Sequence, residues 1–431
     1  MSEQTIVALS TPVGRSAIAV VRMSGEDSIK IAGRFFHPMP DKPNFVRVGK
    51  LQTEHFAEQA MCVYFVAPHS YTGENTVEFY CHGGISVPQA VIQACLDNGA
   101  RMATNGEFSK RAFVNGKQNL TNAEGIIEMI DAETVSGVKA GVNLLNNKLG
   151  ELTVKLQDKL TDMISRTEVA LDYPEEDLEL PTAQSLRGEI AELHGEISQL
   201  LGTVSAGRIV KYGINVAIAG RPNVGKSSLL NAFLGSDRAI VSSVEGTTRD
   251  TLNESIAYKD TKFNFVDTAG IRNARDEIEK EGLRRTNLAI ADADVVLFVT
   301  DRKDDFLQCD KKIIKVYNKG DVNDYSDVSD GIVVSARTGQ NVELLKQTVY
   351  DAFRMGEINN SDLILTNQRH IDCLKTASEL LKNAEEDAQN GTLDCVASTL
   401  HDAWQVLGEI TGTQANEDII DRIYSKFCLG K

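Results

Sequence analysis

No stretch of this sequence approaches the ~18–20 consecutive apolar residues that a membrane-spanning helix requires. The opening MSEQTIVALS lacks a basic start followed by a long apolar run, so no secretory signal is expected. Paired cysteine motifs are missing: the seven cysteines (62, 81, 95, 309, 373, 395 and 428) are scattered, and none are spaced as CxxC. That pattern argues against a disulfide frame or zinc site and points to reduced thiols in a cytoplasmic protein. Excess positive charge is missing too. A net charge of −16 argues against a free-standing nucleic-acid binder, which needs clustered Lys and Arg to meet phosphates.

What is present divides by periodicity, and 431 residues leave room for two to three domains. Residues 1–118 read as short β-type runs (TIVALS, AIAVVRM, MCVYFVA, TVEFYCHGG) with a helical stretch, VPQAVIQACLDNGA, which implies an α+β domain. Leu145, Leu149, Leu152, Leu156 and Leu160 then recur at helical spacing, predicting one long amphipathic helix. After the acidic break DYPEEDLELP the pattern returns at Leu186, Ile190, Leu193, Ile197 and Leu200. It returns again at Val396, Leu400, Ala403, Leu407 and Ile410. Between the helical blocks, INVAIAG, the hairpin-like ESIAYKDTKFNFVD, DVVLFVT, IIKVYNK and GIVVSA alternate with helical segments, the grammar of a parallel α/β sheet. The expected architecture is therefore an α/β domain, 210–355, inserted into a helical domain made of 119–209 and 356–431.

GRPNVGKS, 220–227, fits GxxxxGK[ST] and lies after a strand at the start of a helix. Backbone amides of Asn223, Val224, Gly225, Lys226, Ser227 and Ser228 would wrap phosphates. Lys226 would reach the β- and γ-phosphates and Ser227 would ligate Mg²⁺. About twenty residues on, the stretch Ser242, Ser243, Val244, Glu245, Gly246, Thr247 and Thr248 can bring the Thr248 hydroxyl onto the metal. Asp267, Thr268, Ala269 and Gly270 follow an apolar strand, where Asp267 can hold the magnesium shell and Gly270 can sense the γ-phosphate. Asn318, Lys319 and Asp321 of NKGD supply base selection, because the Asp321 carboxylate can accept from guanine N1–H and the 2-amino group. Ser335, Ala336 and Arg337 add a backbone contact to the guanine oxygen. Four motifs in this order identify a GTP site. One feature of a Ras-type GTPase is absent: Ile271 stands where a water-positioning glutamine would be.

GRPNVGKSSLLN, VEGTTRD, DTAGIR, NKGD and the terminal FCLGK together resemble the tRNA-modification GTPase family MnmE (TrmE). The likeness extends through STPVGRSAIAVVRMSG, YTGENTVEFYCHGG and GEFSKRAFVNGK in the N-terminal part. It implies G domains that pair face to face and use K⁺ where other GTPases insert an arginine. Asn223, Ser242, the Val244 carbonyl and Thr247 would be the ligands, and Glu279 the catalytic group orienting the water. It also implies an N-terminal domain similar to the folate-binding domain of the glycine-cleavage aminomethyltransferase. That domain would dimerise and bind 5-formyltetrahydrofolate or a related tetrahydrofolate through Arg22, Glu78, Lys117 and Lys431.

The implied activity is GTP hydrolysis coupled to installing an aminomethyl-type group at carbon 5 of the tRNA wobble uridine. A flavoprotein partner, GidA (MnmG), would share the reaction and provide most of the tRNA contact. The rival reading is a GTP-controlled binding switch in ribosome assembly, against which the folate-type domain speaks. Three departures stand out: Ser242 where threonine is common, Glu245 beside Gly246, and a segment after Thr300 too short for the usual helix.

Overall fold

The computed structural model describes residues 4–173, 179–236, 254–266, 288–353, 363–390 and 393–430. Two compact units emerge, one made of residues up to 127 with 144–191 and 376–431, the other of 128–143 and 192–375.

In the first unit a seven-stranded sheet has the order β3-β4-β5-β6-β2-β1-β7. Its strands are β1 (Ile6–Leu9), β2 (Ile18–Ser24), β3 (Phe36–His37), β4 (Arg47–Gln52), β5 (Ala57–Phe65), β6 (Thr76–His82) and β7 (Arg101–Met102). Strand alternation sends Ala19, Val21 and Met23 of β2 into a core with Phe36, Leu51, Val77 and Phe79. Helix α1 (Ser28–Ala32) and the underside of α2 (Ser86–Asp97) close this face with Ile31, Val91 and Cys95. Burial pushes the Cys62 thiol on this face up to about 12, so it packs as an apolar group. The opposite face carries Arg22 and Glu78, directly paired in the β2–β6 register.

Helix α3 (Glu107–Val114) opens on a buried ion network. Glu107 accepts from Arg101 at 2.5 and 2.8 Å, from the Thr104 N–H at 2.9 Å and from Arg111 at 3.0 Å. Burial raises the Glu107 pKa, but the Arg101, Thr104 and Arg111 hydrogen bonds outweigh it and bring the carboxyl from 4.5 down to about 2. A depressed folded value stabilises fully above pH ~4.5 and is lost as pH falls through ~2, a contribution of about 3 kcal/mol. Glu107→Gln is therefore expected to destabilise the unit by about 2–4 kcal/mol at neutral pH. Its urea midpoint should also lose the slope between pH 4.5 and 2 that the parent shows; an unchanged slope would contradict this role.

The helical part runs through α4 (Leu120–Asp131), α5 (Val135–Leu145), α6 (Lys148–Asp172), α7 (Glu179–Leu201) and α8 (Val204–Tyr212). The leucine stripe is not one helix. Leu145 ends α5 and is exposed, and Asn147 at φ +61° breaks the chain before α6 begins. Leu149, Leu156 and Leu160 of α6 are buried as expected. The second stripe is buried along α7.

The second unit holds a six-stranded sheet ordered β13-β12-β11-β8-β10-β9. It comprises β8 (Ile214–Ala219), β9 (Glu254–Tyr258), β10 (Thr261–Phe265), β11 (Val295–Thr300), β12 (Lys312–Tyr317) and β13 (Ile332–Val333). All neighbours are parallel except β9, which pairs antiparallel with β10. Every residue of β11 is buried, as a central strand covered on both faces requires. Helices α9 (Lys226–Ser236) and α10 (Val342–Ala352) pack on one face through Leu229, Phe233, Leu345 and Val349. Parallel strands are usually joined by a helical crossover. The β11–β12 connection, 301–311, has none, and Leu307 and Cys309 cover Ala217, Ala219 and Val296 in its place. Beyond lie α11 (Gln368–Asn390), α12 (Leu393–Thr411) and α13 (Glu417–Tyr424). The third stripe, Val396 to Ile410, is wholly buried along α12, which packs on α6 in the first unit.

Candidate functional site

The loops leaving β8, β11, β12 and β13 gather at the carboxyl ends of the parallel strands, the edge where α/β sheets bind ligands. Residues 220–225 form the turn between β8 and α9. Gly220 sits at φ +148°, where a Cβ would lie 2.1 Å from the Val299 carbonyl oxygen of β11. Asn223, exposed, adopts φ +63°. Helix α9 then starts at Lys226, aiming its free amides into the turn, while Leu229 and Leu230 anchor the next turn in the core. Lys226 Nζ donates to the carbonyls of Gly220 at 2.7 Å and Arg221 at 2.8 Å. Burial pushes its ammonium below the ordinary lysine range; a phosphate beside it would favour the charged form. Ser227 follows at the helix start, and Ser228 is exposed.

Asn318, 2% exposed, ties this turn to the 318–321 and 335–337 loops. Its Nδ2 donates to the Val224 carbonyl at 2.9 Å and its Oδ1 accepts from the Ala336 N–H at 3.1 Å. Its own N–H donates to Thr300 O at 3.0 Å. One amide side chain thus joins the phosphate-type turn, NKGD and Ser335-Ala336-Arg337. Lys319 stands at φ +64° with Nζ 3.1 Å from Asp301. Asp321 accepts from the Ser335 hydroxyl at 2.7 Å and lies 3.9 Å from Arg337 Nη1. The Ser335 hydrogen bond holds the Asp321 carboxyl below the usual range, so it stays an ionised acceptor able to take N–H donors. The sequence suggested a backbone role for Ser335; its hydroxyl also orients Asp321. Nothing in the one-dimensional pattern signals that contact.

Ser242, Ser243, Val244, Glu245, Gly246, Thr247, Thr248, Asp267, Thr268, Ala269, Gly270 and Glu279 lie outside the described residues, as does Lys431.

A second, open cleft of about 370 Å³ lies in the N-terminal sheet region, lined by Asn44, Phe65, His69, Tyr71, Glu78 and Lys117 among others. Glu78 accepts from Tyr80 OH at 2.7 Å and pairs with Arg22 Nε at 2.8 Å. The Arg22 guanidinium stands 5.3 Å from the Tyr71 ring centre and 5.9 Å from that of Phe108. Arg22 Nη1 also reaches the Gly430 carbonyl at 3.4 Å, which Ser10 Oγ contacts at 3.1 Å. Lys117 Nζ donates to Pro68 O at 3.1 Å. This is an acceptor–cation pair beside an apolar wall, a chemistry that suits a flat heteroaromatic with ring N–H donors and an anionic tail.

Two family models cover the chain: the GTP-binding protein TrmE N-terminus matches residues 5–117 and the MnmE helical domain matches 120–428. A tRNA modification GTPase MnmE of Natranaerobius thermophilus is 34% identical over all of both chains. The Desulforamulus reducens MnmE is 37% identical over the same full coverage, and that of Staphylococcus aureus 35%. Among solved structures, the G domain of the T. maritima FeoB iron transporter matches 32% of this chain and 97% of that one. It does so at 24% identity with a TM-score of 0.22. With both family models and full-length relatives above 30% identity, the chain belongs to the MnmE family of tRNA modification GTPases.

Proposed function

We propose that this protein hydrolyses GTP at the 220–227/318–321/335–337 site to drive modification of the tRNA wobble uridine at carbon 5, with GidA (MnmG) as its flavoprotein partner. The observation that supports the reading most is the Asn318 junction, whose hydrogen bonds join the 220–225 turn to the loop carrying Asp321 and to Ala336. Lys226 and the α9 amides balance phosphate charge. Ser227 and Thr248 would hold Mg²⁺, and the oxygen-only donor set suits a hard cation. Asn223, Ser242, the Val244 carbonyl and Thr247 would hold K⁺ when two G domains pair, and Glu279 would orient the attacking water. The domains divide at 1–118, 210–355, and 119–209 with 356–431, and the N-terminal domain forms the homodimer. The reading places the protein in the cytoplasm, and among the described residues no helix is long and apolar enough to cross a membrane.

The test is nucleoside mass spectrometry of tRNA from cells lacking the protein. Wild-type complementation should restore the modified uridine and Lys226→Ala should not. Intact modification in the deletion, with defective ribosomal subunits, would replace this reading by a ribosome-assembly switch.

A tetrahydrofolate supplies the one-carbon unit when bound. Glu78 would accept from the pterin N–H groups, and Arg22, Lys117 and Lys431 would supply cations for its carboxylates. The cleft's acceptor–cation pair and aromatic wall supply the fit. Glu78→Gln is expected to weaken 5-formyltetrahydrofolate binding about tenfold by calorimetry while leaving GTP turnover of the full chain unchanged. An unaltered affinity would remove Glu78 from the pocket.

A further inference from the structure

The short connector after β11 carries two acidic side chains that reach opposite halves of the nucleotide site. Asp301 holds Lys319 at 3.1 Å and Asp305 holds Arg221 Nη2 at 2.8 Å. The second pair is built into the fold. Asp305 is 8% exposed although its neighbour Phe306 is 83% exposed, so the chain turns the carboxylate inward and leaves the aromatic ring in solvent. Asp305 Oδ2 accepts from the Thr300 hydroxyl at 2.8 Å, and Thr300 is the fully buried last residue of β11. The same strand end presses on Gly220 through the Val299 carbonyl and receives the Asn318 N–H through the Thr300 carbonyl.

Arg221 is the second residue of the phosphate turn, and its carbonyl with that of Gly220 holds Lys226 Nζ. The backbone on which the phosphate lysine rests therefore belongs to the very residue whose guanidinium Asp305 grips. A helical crossover would carry the chain away from this spot; the helix-free path of 301–311 is what brings a carboxylate back to the turn. We propose that Asp305 is a positioning residue for the phosphate loop, acting through Arg221 to set guanine-nucleotide affinity rather than the rate of the chemical step. The inference rests on residues 220–227 being the phosphate loop.

The test measures binding of a fluorescent GDP analogue to the full chain in Asp305→Asn, Arg221→Gln, the double variant and Lys226→Ala, with GTP turnover and thermal unfolding alongside. Each single variant should bind about tenfold more weakly, the loss expected for one charge-assisted hydrogen bond. The double variant should be no weaker than the worse single one, because both break the same contact. The kcat should stay within about twofold while KM rises. Singles that bind like the parent, or losses that multiply in the double variant, overturn the positioning role when Lys226→Ala still abolishes binding. Retained binding in Lys226→Ala overturns the phosphate-loop reading itself. Should Asp305→Asn not fold, the half-exposed Arg221→Gln must still show the tenfold loss, and parental affinity there refutes the proposal.

Discussion

A single methyl group added at position 225 is expected to reduce guanine-nucleotide affinity by at least about a hundredfold. Gly225 adopts φ +98°, a region that costs an L-residue roughly 1–3 kcal/mol. A Cβ there would also stand 2.2 Å from Asn318 Nδ2, far inside any real contact. Asn318 cannot yield. Its amide is bonded at one end to Val224 and at the other to Ala336, and its backbone is pinned to Thr300 and to the Tyr325 hydroxyl. Retreat would break two side-chain hydrogen bonds of about 1 kcal/mol each and leave buried groups unmet. Strain and lost bonds together amount to about 3–5 kcal/mol, roughly two to three and a half decades of affinity. Titrating Gly225→Ala with a fluorescent GDP analogue checks the magnitude. Gly225→Ala placed on Asn318→Ala checks the cause: with the amide gone only the φ strain remains, so the added loss should shrink to about tenfold. A hundredfold further loss on that background would show that the clash is not what matters.

How much of this was readable beforehand depends on where the determining contact lies. GRPNVGKS and NKGD are contiguous strings, so their turns at the strand ends could be expected from the sequence. What joins them could not: Asn318 meets Val224 across 94 residues, and nothing in either string announces it. Buried strands such as VVLFVT were legible because a central strand is apolar throughout. The two-residue strands Phe36–His37 and Arg101–Met102 were not, since they exist only through pairing with β4 and β1. Leu145 misled because the stripe keeps helical phase across the Asn146-Asn147 turn, where the break is conformational rather than compositional. DRKDD after β11 looks like a solvated charge run. The structure separates its members, burying Asp305 against Thr300 and Arg221 and setting Asp301 against Lys319. In the first unit Arg22 and Glu78 would pass for ordinary surface charges; only the β2–β6 register puts them opposite each other beside Tyr71.

Replacing sodium by potassium at constant ionic strength is expected to raise GTP turnover by about a thousandfold. The chain has Ile271 where a glutamine would position water, so another group must orient it, and the charge on the transferring phosphate needs a partner of its own. A unit charge ~4 Å from another at an effective dielectric of ~20 contributes roughly 4 kcal/mol, or three decades in rate. That matches the lower end of the ~10³–10⁵ credited to an arginine supplied in trans. Asn223, exposed at φ +63° in the turn after β8, carries an amide oxygen of the kind a hard cation takes. Asn223→Ala should therefore collapse the potassium-to-sodium rate ratio towards unity while leaving GDP affinity within about threefold. Glu279→Ala should behave differently, slowing hydrolysis about a hundredfold in either salt without weakening GTP binding, as loss of a water-orienting group would. The two variants separate charge balance from water placement. Equal parental rates in both salts would discard the cation, and a salt ratio unchanged in Asn223→Ala would move its ligands away from the phosphate turn.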